Sequence, residues 1–306
     1  MRVVGAEELR ALLSMTAAID ALEDAFRSDD PGATGPMRST IRTEAGTMLL
    51  MPSSGSRGVG VKVTTLTEAN PSRGLPLIQA AYVLFDPVTQ EPEALLDGTA
   101  LTTLRTGAVS GLATRFLARP EARRLVLFGS GTQARSHLEA MVAVRPIEEV
   151  RVVSRTLGRA EALAEEARAN GLSAAVGGPE EVEDADVVCT CTSSHDPVVR
   201  GSLLSEGVHL NAIGAYLPDA RELDTETVRR ARVVVETREV AFAEAGDLLL
   251  PIAEGAIEAG HVVADLAEMV RGAPVRRTPH EVTLFKGVGM AFEDLVVARA
   301  AMAALT

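Results

Sequence analysis

Only two of the 30 basic residues in this chain are lysines, Lys62 and Lys286; arginine fills the other cationic positions. A lysine kept against such a preference suggests a site needing a compact ammonium that can release a proton, which a guanidinium cannot do. Lys62 lies in Gly58-Val59-Gly60-Val61-Lys62-Val63-Thr64. Strand alternation there puts Gly60, Lys62 and Thr64 on one face and Val59, Val61 and Val63 on the other. A charge in so apolar a segment must find a partner or line a wet cleft, unless its stem covers the sheet while its head reaches water. Arg105, in Leu104-Arg105-Thr106-Gly107-Ala108, sits among small and apolar residues of a helix built for burial. A structural salt bridge is the plain alternative for it. Together with Arg38 and Arg42 in the same β-rich region, such cations converging would hold a carboxylate in arginine's two-pronged grip. Lys286 has no comparable context.

A second constellation is Arg124-Leu125-Val126-Leu127-Phe128-Gly129-Ser130-Gly131-Thr132-Gln133-Ala134. An apolar run reads as a buried parallel strand, breaks at two glycines and passes directly into a helical pattern. In that geometry a dinucleotide pyrophosphate sits on free N–H groups at a helix N-terminus. Gly129 permits the tight turn, Gly131 lets the backbone approach the phosphates, and Ala134 allows close helix–strand packing where a third glycine often stands. The next strand, from Glu149, ends in Ser154-Arg155-Thr156. No carboxylate stands there to accept the adenosine ribose hydroxyls or repel a 2′-phosphate. Arg155 can pair with that phosphate, and Ser154 and Thr156 can donate to it, so NADP(H) is expected ahead of NAD(H). The bland alternative is that Ser154 or Thr156 caps the following helix while Arg155 is solvated.

These residues need two scaffolds. From Arg124 onward strands alternate with helices, which predicts a Rossmann-type doubly wound parallel sheet. Before it, a helix from Ala6 to Ser28, closed by Asp29-Asp30-Pro31-Gly32, is followed by short β-like segments, giving a smaller α+β domain. A helix from Thr99 to Ala118 bridges the two. A final helix, Met290 to Leu305, is expected to pack back on the first domain and make it discontinuous. The expected domains are therefore 1–112 with 290–306, and 113–289.

Composition narrows the function further. A chain of 306 residues with a formal net charge of −12 argues against a nucleic-acid or anionic-membrane surface, but leaves room for a local cationic pocket. No apolar run approaches the roughly 18 residues of a spanning helix, and the N-terminus reads as an amphipathic helix, so a cytoplasmic protein is expected. Cys189 and Cys191, at i and i+2 of one strand, are badly placed for a disulfide. The histidines show no ligand spacing, and no metal is expected.

Taken together and in order, several motifs make the chain resemble the family of ornithine cyclodeaminase, mu-crystallin and the archaeal-type alanine dehydrogenases. They are Pro36-Met37-Arg38, Leu50-Met51-Pro52, Gly60-Val61-Lys62, Gly74-Leu75-Pro76 with Gln79, Leu96-Asp97-Gly98, Leu104-Arg105-Thr106, Gly129 to Ala134, Arg221-Glu222-Leu223-Asp224 and Phe285 to Gly289. The resemblance implies that Arg38, Lys62 and Arg105 bind the substrate carboxylate, with Lys62 next to the reacting C–N bond. It implies that Gln79, Tyr216 and Val288 border the substrate. Thr106, Thr132, Gln133, Ser154, Arg155, Thr156, Thr192 and Ile213 would line the cofactor, and the first domain would build a homodimer.

Two departures from the family pattern bear on the reaction. Tyr216 stands where cyclodeaminases and alanine dehydrogenases have an Asp, and Gly287 where a Ser is common. Both point away from ornithine cyclodeaminase. The expected activity is NAD(P)H-dependent reduction of a C=N bond next to a carboxylate, on a small imine or on a keto acid plus amine. The alternatives are a cyclodeaminase using NAD catalytically and a nucleotide-dependent ligand-binding protein without turnover.

Overall fold

A computed structural model of the chain describes residues 1–28, 31, 35 and 37–305. Pro36, and Asp29, Asp30 and Gly32 of the turn expected after the first helix, lie outside the described residues. The chain divides into two units, Met1–Thr106 with the segment from Met290, and Gly107–Gly289. The division falls inside the long helix that begins at Gly98, after Thr106 rather than after residue 112.

The first unit opens with β1 (Arg2–Val4), α1 (Ala6–Leu12) and α2 (Met15–Ser28). Apolar spacing alone predicts one helix here, but the chain makes two. Leu13 is extended at φ −135°, and the Ser14 hydroxyl accepts from the Ala17 N–H at 3.2 Å, which starts a new helix. Because Leu13 and Met15 are both buried, the break leaves no gap in the hydrophobic pattern. Then come β2 (Ser39–Thr43), β3 (Gly46–Gly55), β4 (Gly58–Leu66), β5 (Ile78–Phe85) and β6 (Pro92–Asp97). They form a six-stranded sheet in the order β1-β6-β5-β4-β3-β2, antiparallel except for β1 beside β6. α3 (Gly98–Leu117) follows at once, its first turn capped by Asp97, which accepts from the N–H groups of Thr99 and Ala100 at 2.9 Å.

The second unit is built on β7 (Arg124–Phe128), α4 (Thr132–Val144), β8 (Glu149–Val153), α5 (Leu157–Ala169), β9 (Ser173–Val176), β10 (Val187–Thr190) and β11 (His209–Ala212). It continues through α6 (Thr225–Arg230), β12 (Ala231–Val235), α7 (Arg238–Glu244), α8 (Gly246–Ala253), β13 (Val262–Asp265), α9 (Leu266–Val270) and β14 (Val282–Lys286). The result is an eight-stranded parallel sheet in the order β13-β12-β14-β11-β10-β7-β8-β9, the Rossmann-type arrangement. Valine- and leucine-rich strands covered on both faces make its core. β9 and β13 are short and poorly patterned, and the sequence did not mark them as strands. β14 is a central strand, inserted between β11 and β12.

α10 (Ala291–Ala303) belongs to the first unit and packs on β3, β4, β5 and α2, with Phe292 edge-on to Phe26 at 5.2 Å. It lies over the sheet face that carries Met51, Lys62, Tyr82 and Leu96, which stand in register across four strands and are all buried. The opposite face carries Met48, Leu50, Val61, Val63, Val83 and Leu95, all only partly buried, with Val3 and Ile41 exposed at 66% and 42%. Among the described residues no helix is long and apolar enough to cross a membrane.

Candidate functional site

In the first unit the cations singled out in the sequence are held by two acids of α10. The Lys62 ammonium lies 2.7 Å from Asp294 Oδ2 and donates to Oδ1 at 2.9 Å. Arg105 donates through Nε to Asp294 Oδ1 at 3.2 Å and through Nη1 to Glu293 Oε2 at 2.9 Å. All four side chains are buried. An isolated ammonium at Lys62 would be driven neutral, and a lone carboxylate at Asp294 would be as costly; each is tolerable because the other is there. Burial lowers the Lys62 pKa from 10.5 to about 8: Asp294 opposes the shift, and the charges of Arg105 and Arg38 add to it. Arg38, half-buried just before β2, is therefore within electrostatic reach of Lys62. Tyr82, beside Lys62 on β5, lies across Gly60 and keeps a buried hydroxyl without a hydrogen-bond partner among the described residues. Burial raises its pKa well above 10, so it is a neutral phenol. Arg42 is exposed on the edge strand β2.

The structure thus brings Arg38, Lys62 and Arg105 together, and it does not bring Gln79 to them. Gln79 pairs with Thr65 across β4 and β5, while Lys62 pairs with Tyr82. An odd offset along a strand puts a side chain on the other face of the sheet, so Gln79 points away from the cation cluster and is exposed. The acids were missed because they are far away in sequence. A signal was present: Glu293 and Asp294 interrupt the otherwise apolar run Ala291-Phe292 … Leu295-Val296-Val297-Ala298.

In the second unit the glycine turn has the geometry its residues suggest. Gly129 adopts φ +108°, and a Cβ there would meet the Cys191 carbonyl at 2.6 Å, so only glycine fits. Its N–H donates to the Val153 carbonyl at 2.9 Å, joining the ends of β7 and β8. Gly131 faces open space and precedes α4, whose first turn carries no acid and has no side-chain cap. Ala134 is buried, and Gln133 Oε1 is buried without a hydrogen-bond partner among the described residues. Free N–H groups at the positive end of a helix, open space before Gly131 and an unused acceptor fit a dinucleotide pyrophosphate and its ribose. Thr132 is exposed on the same first turn.

At the end of β8, the Ser154 and Ser130 hydroxyls share a hydrogen bond of 2.9 Å, and the Ser154 oxygen accepts from the Thr156 N–H at 3.3 Å. Thr156 begins α5 but its side chain does not cap it, so the capping alternative does not account for this residue. Arg155 is exposed and forms no ion pair among the described residues.

Thr192 and Ile213 lie just beyond the C-terminal ends of β10 and β11, both half-buried, where open α/β sheets place their ligands. Tyr216 is half-buried on the loop after β11 and packs on the unit's core. Val288 is buried, and its N–H donates to Glu236 Oε2 at 2.9 Å. A Cβ on Gly287 would sit 2.9 Å from Ile213 Cδ1, so a serine there would require the end of the Ile213 side chain to shift. Thr106 is buried on α3 and donates back to the Thr102 carbonyl at 2.7 Å.

The model of the ornithine cyclodeaminase/mu-crystallin family matches residues 2–304. The chain is 38% identical to a Delta(1)-pyrroline-2-carboxylate reductase of Bacillus cereus, over 98% of this chain and 95% of that protein. Among solved structures it is similar to the Thermococcus litoralis Delta(1)-pyrroline-2-carboxylate reductase in complex with NADH and L-proline. That match has a TM-score of 0.95 and 38% identity, and covers 99% of this chain and 97% of the other. It is also similar to an archaeal alanine dehydrogenase dimer with bound NAD, with a TM-score of 0.93 and 34% identity over 99% and 95% of the two chains. By its whole-length match and by these relatives, the chain belongs to the ornithine cyclodeaminase/mu-crystallin family.

Proposed function

We propose that the protein is an NAD(P)H-dependent reductase of C=N bonds next to a carboxylate, with a cyclic imino acid such as Δ1-pyrroline-2-carboxylate as substrate. One observation carries the reading: a buried lysine held on an acid pair that it shares with Arg105, its pKa lowered by burial to about 8. The relatives named above support the substrate class. Arg105, oriented by Asp294 and Glu293, and Arg38 hold the substrate carboxylate and so fix the imine carbon. The bound nicotinamide supplies a hydride. Lys62 gives its proton to the imine nitrogen as the carbon gains the hydride, so that one hydride and one proton are added across C=N. A pKa close to the working pH suits this task, since the ammonium is both populated and able to let its proton go.

Thr132, Gln133 and the Gly129–Gly131 turn would hold the pyrophosphate, and Thr192 and Ile213 the nicotinamide half. Arg155, with Ser154 and Thr156, receives the 2′-phosphate and favours NADP(H). Tyr216 and Val288 border the substrate. The partly buried apolar face of the first unit's sheet is the contact with a second copy, as an archaeal alanine dehydrogenase of this family is a dimer. Sedimentation is expected to give twice the chain mass; a monomer at micromolar concentration would contradict this.

Purified protein is expected to consume NADPH with five- or six-membered cyclic imino acids, and to release little or no ammonia from ornithine or lysine with catalytic NAD. Tyr216 gives no carboxylate to hold a substrate ammonium, and an unperturbed phenol ionises near pH ~10. Ammonia release without imine reduction would replace the reductase by a cyclodeaminase.

The acid form of Lys62 is the active one, so kcat/KM is expected to be level below its pKa and to fall as pH rises through about 8. Asp294→Asn removes a charge that holds the proton on Lys62, so this limb is expected to move to lower pH. A limb that stays in place would exclude Lys62 as the proton donor.

Arg155→Ala is expected to weaken NADPH more than NADH in parallel titrations, by about tenfold for the loss of a charge-assisted phosphate contact. An NADH preference in the wild type that the substitution leaves unchanged would refute the role of Arg155.

A further inference from the structure

Lys286, the second of the two lysines, is buried at the end of β14. Its ammonium meets three acceptors: the Ala212 carbonyl at 3.2 Å, the Ala215 carbonyl at 2.5 Å and Asp247 Oδ2 at 2.9 Å. The compact ammonium makes two hydrogen bonds and one ion pair in a space that does not suit a planar guanidinium. Asp247 in turn accepts, through Oδ1, from the N–H groups of Glu222 and Leu223 at 2.8 and 2.9 Å. The backbone of Glu222 is thereby fixed.

The Glu222 carboxylate is fully buried and gathers five donors. Oε1 accepts from the Thr192 N–H and hydroxyl, both at 2.7 Å. Oε2 accepts from the Thr190 hydroxyl at 2.8 Å, the Gly214 N–H at 2.7 Å and the Ala215 N–H at 3.2 Å. Oε1 therefore holds the chain leaving β10, and Oε2 ties the last residue of β10 to the chain leaving β11. Burial raises the Glu222 pKa; the Lys286 charge and the Thr192 bonds oppose the shift, and Asp247 adds to it. With only donors around it, the group is suited to the ionised form. Gly214 has no room for a side chain, because Thr192 and Glu222 Oε1 already occupy the space.

We propose that Glu222 is a positioning residue for the reaction: it sets the spacing between the ends of β10 and β11, so that Thr192 and Ile213 meet the nicotinamide half of the cofactor in one fixed arrangement. Asp247 and Lys286 close the ring by tying Glu222 back to Ala212 and Ala215. This rests on the reading that the chain binds a nicotinamide dinucleotide. Glu222→Gln keeps the shape but not the acceptor pattern. Whichever way the amide turns, its NH2 faces a backbone N–H, that of Thr192 on one side or those of Gly214 and Ala215 on the other. The pyrophosphate turn and the end of β8 are untouched, so the cofactor still binds while its reacting end is misplaced.

Glu222→Gln is expected to lower kcat for imine reduction by about tenfold or more, the scale of a small misplacement at a reacting centre. The calorimetric Kd for NADPH is expected to stay near wild type, and the fluorescence of bound NADPH to move toward that of the free cofactor. Thr190→Val removes one of the five donors, and is expected to shift kcat and fluorescence the same way by less. It decides the matter if Glu222→Gln does not fold. Wild-type kcat and fluorescence in folded Glu222→Gln, or in Thr190→Val if that is the variant measured, would overturn the proposal. So would a variant whose Kd rises as much as its kcat falls, since Glu222 would then serve general integrity alone. A wild-type protein that binds no NADPH removes the reading and the positioning role together. One that binds NADPH and reduces no imine removes only the reading, and the fluorescence of bound cofactor then decides the role of Glu222.

Discussion

The first unit depends on one buried interaction, the ion pair of Lys62 with Asp294. Neither partner is tolerable alone in a layer made of Met51, Leu96, Phe292 and Leu295, so the sheet and the last helix must meet at that point. This gives a physical reason for the discontinuity of the unit. The chain leaves after Thr106, builds a whole parallel sheet and returns at Met290, and its returning helix carries the acids that neutralise Lys62 and Arg105. Two cations, Lys62 and Arg105, thus stand against two carboxylates, Asp294 and Glu293.

Buried acids have another task in the second unit. Glu222 and Glu236 mainly accept backbone N–H groups just past the ends of strands, and Asp247 accepts those of Glu222 and Leu223. A parallel sheet that carries its ligand-binding loops at these ends must satisfy such donors, and an ionised carboxylate satisfies several at once. Glu236 does this for Val288 and Gly289, the last residues before the chain returns to the first unit.

What could be read from the sequence follows from the distance over which each feature acts. The glycine turn was legible because strand, turn and helix start are contiguous, and Gly129 needs its left-handed φ for local reasons. Lys62 stood out because arginine is preferred almost everywhere else. Its partner was invisible at 232 positions away, although two acids in an apolar helix should have raised the question. Gln79 was misread because the parity of one strand relative to its neighbour depends on register, and Thr65, not Lys62, is its partner. The place of β14 beside β11 was hidden for a similar reason: a short apolar run says that it is buried but not between which strands. Lys286, without context in the sequence, acquires one only through that placement.

Burial lowers the Lys62 pKa to about 8, and the chain allows this to be measured directly. With only two lysines, the 13Cε signals of lysine-labelled protein amount to two resonances, and Lys62→Met identifies one of them by its loss. Titrated by NMR, the Lys62 resonance is expected to show a pKa of about 8. A Lys62 resonance that titrates at the ordinary lysine value of 10.5 or above would contradict the central claim, because the buried pair would then hold its proton too tightly to give it to an imine.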